Sequence, residues 1–200
     1  MSDHAHHPVR PHVAHGPVAH TADAETLARY EHDFAAAVPD PGRPVVSIAL
    51  EAKPSAWEIA PGAAFDAWAY NGQVPGPLVE ARVGDVLEAR LVNGLPEPTS
   101  IHWHGLRVPA SMDGTDTVQR PVEPGDTFTY RFRLPDAGTF WYHPHSNETV
   151  QMERGLYGPL VVRGDDEPVF DAERVLVLDD VKLDREGNVA AFGGIVQRHD

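Results

Sequence analysis

Thr127-Phe128-Thr129-Tyr130-Arg131-Phe132-Arg133-Leu134 alternates polar and apolar side chains from end to end. Phe128, Tyr130, Phe132 and Leu134 fall on one side, and Thr129, Arg131 and Arg133 on the other. A repeat of two marks a strand with one buried face, whereas a helix would repeat every three to four residues. Outward from this stretch, runs that alternate or are rich in β formers recur at 45–53, 64–70, 78–82, 86–93, 100–106, 138–143, 158–163 and 174–178. Turn residues separate them, including Asn71-Gly72, Pro75-Gly76-Pro77, Val83-Gly84-Asp85 and Glu123-Pro124-Gly125-Asp126. Short strands punctuated in this way predict an all-β domain, a sandwich or barrel of Greek-key type.

The ends of the chain read differently. Residues 1–20 are mostly His, Pro, Ala and Val without a helical or strand period, as expected of a disordered, His-rich tail. A short helix is expected over 23–38, where Leu27, Tyr30, Phe34 and Val38 share a face, and the Pro/Gly run at 39–44 stops it. The predicted organisation is therefore a tail with a helix at 1–44, a β domain at 45–178 and a linker-like segment at 179–200. With a net charge of -14, nucleic acid and anionic membrane surfaces are poor partners. No apolar run is long enough to span a bilayer, and no basic segment followed by an apolar core marks a signal peptide.

The 200 residues contain no cysteine. Disulfides, thiolate zinc sites, iron–sulfur clusters, cysteine nucleophiles and a blue-copper centre are thereby excluded from this chain. Metal chemistry here has to run on His, Asp and Glu. Of the 12 histidines, seven lie at or before His32 and one is His199; the other four form the pairs His102/His104 and His143/His145. Residues two apart on a strand point to one face, about 6–7 Å apart. Two imidazoles so placed can share a metal or serve two neighbouring ones, while Trp103 points into the core. Neutral imidazole suits copper, zinc, iron and nickel alike, so the pairs specify a transition metal without naming it. Met112 and Met152 read as core or surface residues.

Four segments in order carry a resemblance: NGQVPGPLVEARVGDVLEARLVNGL from Asn71, IHWHGLRVP from Ile101, MDGTDTVQRPVEPGDTFTYRFRL from Met112 and GTFWYHPHSNETVQMERGLYGPLVV from Gly138. From Phe65 to Val162 the chain resembles the N-terminal, cupredoxin-like (plastocyanin-like) domain of multicopper oxidases, the family of laccases, ascorbate oxidase and copper-tolerance oxidases. The resemblance implies copper as cofactor, with His102 on a type 2 copper and His104, His143 and His145 on the type 3 pair. It also implies Asp113 as a proton relay toward reduced oxygen; read alone, Asp113 is equally a turn residue before Gly114.

The family reduces O2 to water with electrons from a small reducing substrate, and it needs a type 1 copper with a Cys-containing HCH motif and an HxxHxH segment. Neither occurs here, and four of the eight cluster imidazoles are present. The expectation is a half-site, completed by second and third cupredoxin domains or by a partner chain, and not an oxidase by itself. The alternatives are a non-catalytic copper-sequestering protein, with His4, His6, His7, His12, His15 and His20 as collectors, and a hydrolytic zinc site. Such oxidases are usually exported, yet no signal peptide is visible, so the compartment is left open.

Overall fold

The computed structural model describes residues 38–184. The His-rich tail, the helix expected over 23–38 up to residue 37, and the last part of the linker-like segment lie outside the described residues. Eight strands are present among the described residues: β1 (Val45–Ala60), β2 (Ala63–Tyr70), β3 (Val79–Arg82), β4 (Val86–Asn93), β5 (His102–His104), β6 (Thr127–Arg133), β7 (Gly138–His143) and β8 (Gly158–Arg163). A 3-10 turn spans Ala110–Met112, and a short helix, α1, spans Glu148–Glu153. None of the helices described is long and apolar enough to cross a membrane.

The strands form two four-stranded sheets, ordered β2-β1-β4-β6 and β3-β8-β7-β5. Each mixes one parallel pair, β1 with β4 or β3 with β8, with antiparallel neighbours. One core cluster joins the two sheets: Leu50, Leu87, Leu91 and Phe132 from the first pack with Val79, Trp103, Tyr142 and Leu160 from the second. In β6 the predicted alternation holds, with Tyr130 and Phe132 fully buried and Thr129 exposed.

Two expectations require correction. The first strand runs on to Ala60 because, beyond Ala52, it pairs with β2 alone. Pro54 stands in that stretch, where the lost N–H is tolerable because only one side is paired. Conversely, residues 174–178 form no strand. They are rich in β formers, but no neighbouring strand pairs with them among the described residues, and Leu176 and Leu178 are 80% and 92% exposed.

The Asn71-Gly72 turn shows how turn chemistry pins this frame. Asn71 sits at a φ of 55°, and its backbone N–H donates to the Glu51 carbonyl at 2.9 Å. Its Nδ2 donates to Ala49 O and its Oδ1 accepts from Glu51 N, both at 2.8 Å. Asn tolerates the left-handed region, and its amide here extends the edge of β1. Asn71→Ala is expected to lower stability by about 1–2 kcal/mol, allowing for solvent exposure of the two bonds. Urea unfolding of the chain checks this, and an unchanged midpoint would refute it.

Candidate metal centre

The two histidine pairs meet because β5 and β7 are neighbours. In their antiparallel register His102 faces His143, Trp103 faces Tyr142, and His104 faces Trp141. Alternation then sorts the side chains: His102, His104, Trp141 and His143 share one face, while Trp103 and Tyr142 share the other and are fully buried in the core. Trp103 packs edge-on against Tyr130 and Phe132, with ring centroids 5.5 and 5.3 Å away. A single residue buried between two histidines thus presents both imidazoles to one place.

The ring centroid of His102 lies 5.7 Å from His104, 5.3 Å from His143 and 4.7 Å from His145. His104 Nδ1 and His143 Nε2 approach to 3.2 Å. Ligand nitrogens of His102, His104 and His143 all fall within 4.8 Å of one another. His145 lies beyond the three-residue ladder; its backbone N–H donates to Ser100 Oγ at 3.1 Å. Trp141 stacks on His143 at 4.1 Å and also lines an apolar groove with Phe140, Met152 and Tyr157.

Hydrogen bonds fix which nitrogens are free. His102 Nδ1 donates to the Asp113 carbonyl at 2.9 Å, with the Asp113 carboxylate 3.4 Å away. His143 Nδ1 donates to Pro144 O at 2.9 Å. Both rings therefore turn Nε2 toward the cluster, where His143 Nε2 accepts a hydrogen bond from His104 Nδ1 until an ion replaces that proton. Glu148, at the start of α1, places its carboxylate oxygens 3.7 Å from Nδ1 of both His143 and His145.

Burial and these bonds shift the titration of three groups. The His143 pKa is lowered to about 4, chiefly by burial and also by the other three imidazoles, against the raising effect of Pro144 O. Burial also acts to lower His102, but its bonds to Asp113 outweigh this and the net shift is upward. The same bond to His102 holds the Asp113 carboxyl below its usual range, against the opposing effect of burial.

This donor set fits a transition-metal ion. Imidazole nitrogens about 2.0–2.1 Å from a tetrahedral ion lie about 3.3 Å apart, close to the His104–His143 separation. Soft thiolates are absent, and neutral rings are the protonation state that ligation needs. Asp113 lies beside His102 at the edge of the cluster. Met112 is not; it packs against the core, and its sulfur accepts from Arg131 N at 3.4 Å. His199 and the tail histidines lie outside the described residues. Sequence reasoning missed Ser100, Glu148 and the buried Gln151, although Glu148 at i+3 from His145 on a helix start is a readable signal.

Comparison with known proteins agrees with this geometry. The sequence pattern of the multicopper oxidase family matches residues 51–167. Multicopper oxidase MmcO of Mycobacterium tuberculosis is 42% identical over 146 residues, 72% of this chain and 28% of that protein. Copper resistance protein A of Pseudomonas syringae pv. tomato is 43% identical over 117 residues, 57% of this chain and 19% of that one. A crystal structure of a multi-copper oxidase from Pseudomonas thermotolerans superposes with a TM-score of 0.72 and 43% identity, over 76% of this chain and 37% of the other. This chain therefore spans roughly a fifth to two fifths of the length of these relatives. Its two sheets form the cupredoxin-like β-sandwich of those structures. By motif order, fold and histidine placement, the chain belongs to the multicopper oxidase family.

Proposed function

We propose that residues 45–178 are the copper-binding domain that begins a laccase-like oxidase and supplies four imidazoles to its copper cluster. Copper is the cofactor of the family, and when bound it supplies the one-electron steps that take O2 to water. The observation that carries the reading is the convergence of three imidazoles within 4.8 Å, with His145 beside them. His104 Nδ1 and His143 Nε2 are close enough to share one ion of the type 3 pair, and His145 serves the other. His102, turned by Asp113, serves the type 2 ion. Asp113 has two tasks: its carbonyl fixes the ring of His102, and its carboxylate, 3.4 Å from that ring, would serve as a proton relay once copper is bound. The remaining ligands and the electron-entry site belong to further domains or a partner chain, and a small reducing substrate is oxidised there.

Copper titration of the purified chain, followed by calorimetry and EPR, tests the reading. His102→Ala and His143→Ala are each expected to weaken binding at least about tenfold, as loss of a ligand exceeds the cost of losing its supporting shell. No oxygen uptake with a phenolic donor is expected from this chain alone. Unchanged copper stoichiometry in both variants, with a drop only on removal of residues 1–37, would show that the tail and not the paired site binds the metal.

A further inference from the structure

The β5–β7 ladder ends at His102↔His143, so strand pairing positions three of the four imidazoles and leaves His145 to be held by something else. The segment just before β5 supplies that hold. Ser100 Oγ takes the His145 backbone N–H, and the short helix that follows is clamped to residues 97–99 through Gln151. Gln151 is fully buried, and both polar atoms of its amide are hydrogen-bonded. Its Oε1 accepts from Thr99 Oγ1 at 2.7 Å, and its Nε2 donates to Glu97 Oε1 at 2.8 Å and to Pro98 O at 2.9 Å. Glu97 Oε1 also accepts from Asn147 Nδ2 at 2.9 Å, so one carboxylate holds the residue before α1 and Gln151 within it. Residues 97–100 are themselves anchored: Thr99 bridges to Val122, and Asn93 Nδ2 donates to Glu97 O. The segment that leads into His102 is thereby tied to the segment that leaves His145.

We infer that Gln151 is a positioning residue for the metal: the Thr99–Gln151–Glu97 clamp sets the place of His145 relative to the other three imidazoles. This rests on the copper reading above. A buried amide bonded through both its oxygen and its nitrogen is held in one orientation, and an apolar replacement of similar size leaves the Thr99 hydroxyl and Pro98 O without this partner and Glu97 with Asn147 alone. Supporting residues of this kind typically control ligand orientation at a cost of about 10–100-fold in affinity when removed.

A double-mutant cycle on Cu(II) affinity, measured by calorimetry on the full chain, tests the inference. Gln151→Leu is expected to weaken binding about 10–100-fold in the parent. In a His145→Ala background it is expected to change affinity less than about twofold, because the clamp then has no ligand to place. Thr99→Val removes only a hydroxyl, keeps the shape of the site, and is expected to show the same pattern at about three- to tenfold. It carries the test if Gln151→Leu does not fold. Equal weakening in both backgrounds would mean general loosening of the domain and would overturn the inference. So would unchanged affinity in Gln151→Leu when His145→Ala itself weakens binding, an outcome that leaves the copper reading intact. Full affinity in His145→Ala would overturn both.

Discussion

Trp103→Ala is expected to destabilise the chain by about 3–5 kcal/mol, the usual cost of emptying a large buried aromatic site. The side chain is fully buried and touches Tyr130 and Phe132 from one sheet and Tyr142 from the other, the last at 6.0 Å between centroids. Neighbours on both sheets cannot collapse into the space without moving β5, which is only three residues long. The same substitution is expected to weaken copper binding, since His102 and His104 keep their common aim only while the residue between them is anchored. Trp103→Phe separates packing from polarity. The indole Nε1 has no hydrogen-bond partner in the described structure, so phenylalanine loses volume but no bond and should cost about 1–2 kcal/mol. Urea unfolding of the three proteins checks the order, and a loss below about 1 kcal/mol in the alanine variant would show that the sheets do not rely on this ring.

Gly114→Ala is expected to be comparably severe for a different reason. Gly114 has a φ of +78°, and an added Cβ would lie 1.9 Å from the Ile101 carbonyl oxygen and 2.9 Å from His102 N. These are backbone atoms at the entrance to β5, so no rotamer change relieves the contact. Either β5 or the Asp113 segment has to shift, and either movement separates Asp113 from His102. Gly125→Ala is the matched control, with a φ of +86° and nothing within 4 Å of the added carbon. It should cost only the conformational penalty, about 1 kcal/mol. The expected result is a loss in Gly114→Ala at least about 2 kcal/mol larger, with weakened copper binding that Gly125→Ala does not show. Equal losses in the two variants would rule out the proposed close approach.

The fold class was legible because alternation in residues 127–134 needs no knowledge of neighbours: a strand with one buried face writes itself into the sequence. The histidine face was legible for the same reason, as His102, Trp103 and His104 alternate between site and core. What alternation cannot supply is pairing. Residues 174–178 are as rich in β formers as any strand and form none, while β1 passes through Pro54 because its outer half has one partner. The supporting shell of the site was not legible either. Gln151 is an ordinary polar residue 52 and 54 positions from Thr99 and Glu97, and only folding brings it to them. No local spacing rule marks such a clamp.

The two parallel pairings have a kinetic consequence. Every strand of the first sheet is complete by Arg133, whereas the second sheet joins Val79 to Leu160 and waits for β8. Contacts between residues about 80 positions apart close slowly, because a long loop loses its freedom before any pairing repays it. On a chain growing from its N-terminus, the β2-β1-β4-β6 sheet can assemble while His143 and His145 are still unmade. His102 and His104 then wait on an unpaired segment until β7 arrives, and β8 seals the sheet last. A finished imidazole cluster is thus among the latest features to form, so copper added during folding meets scattered single histidines first and the assembled site only at the end.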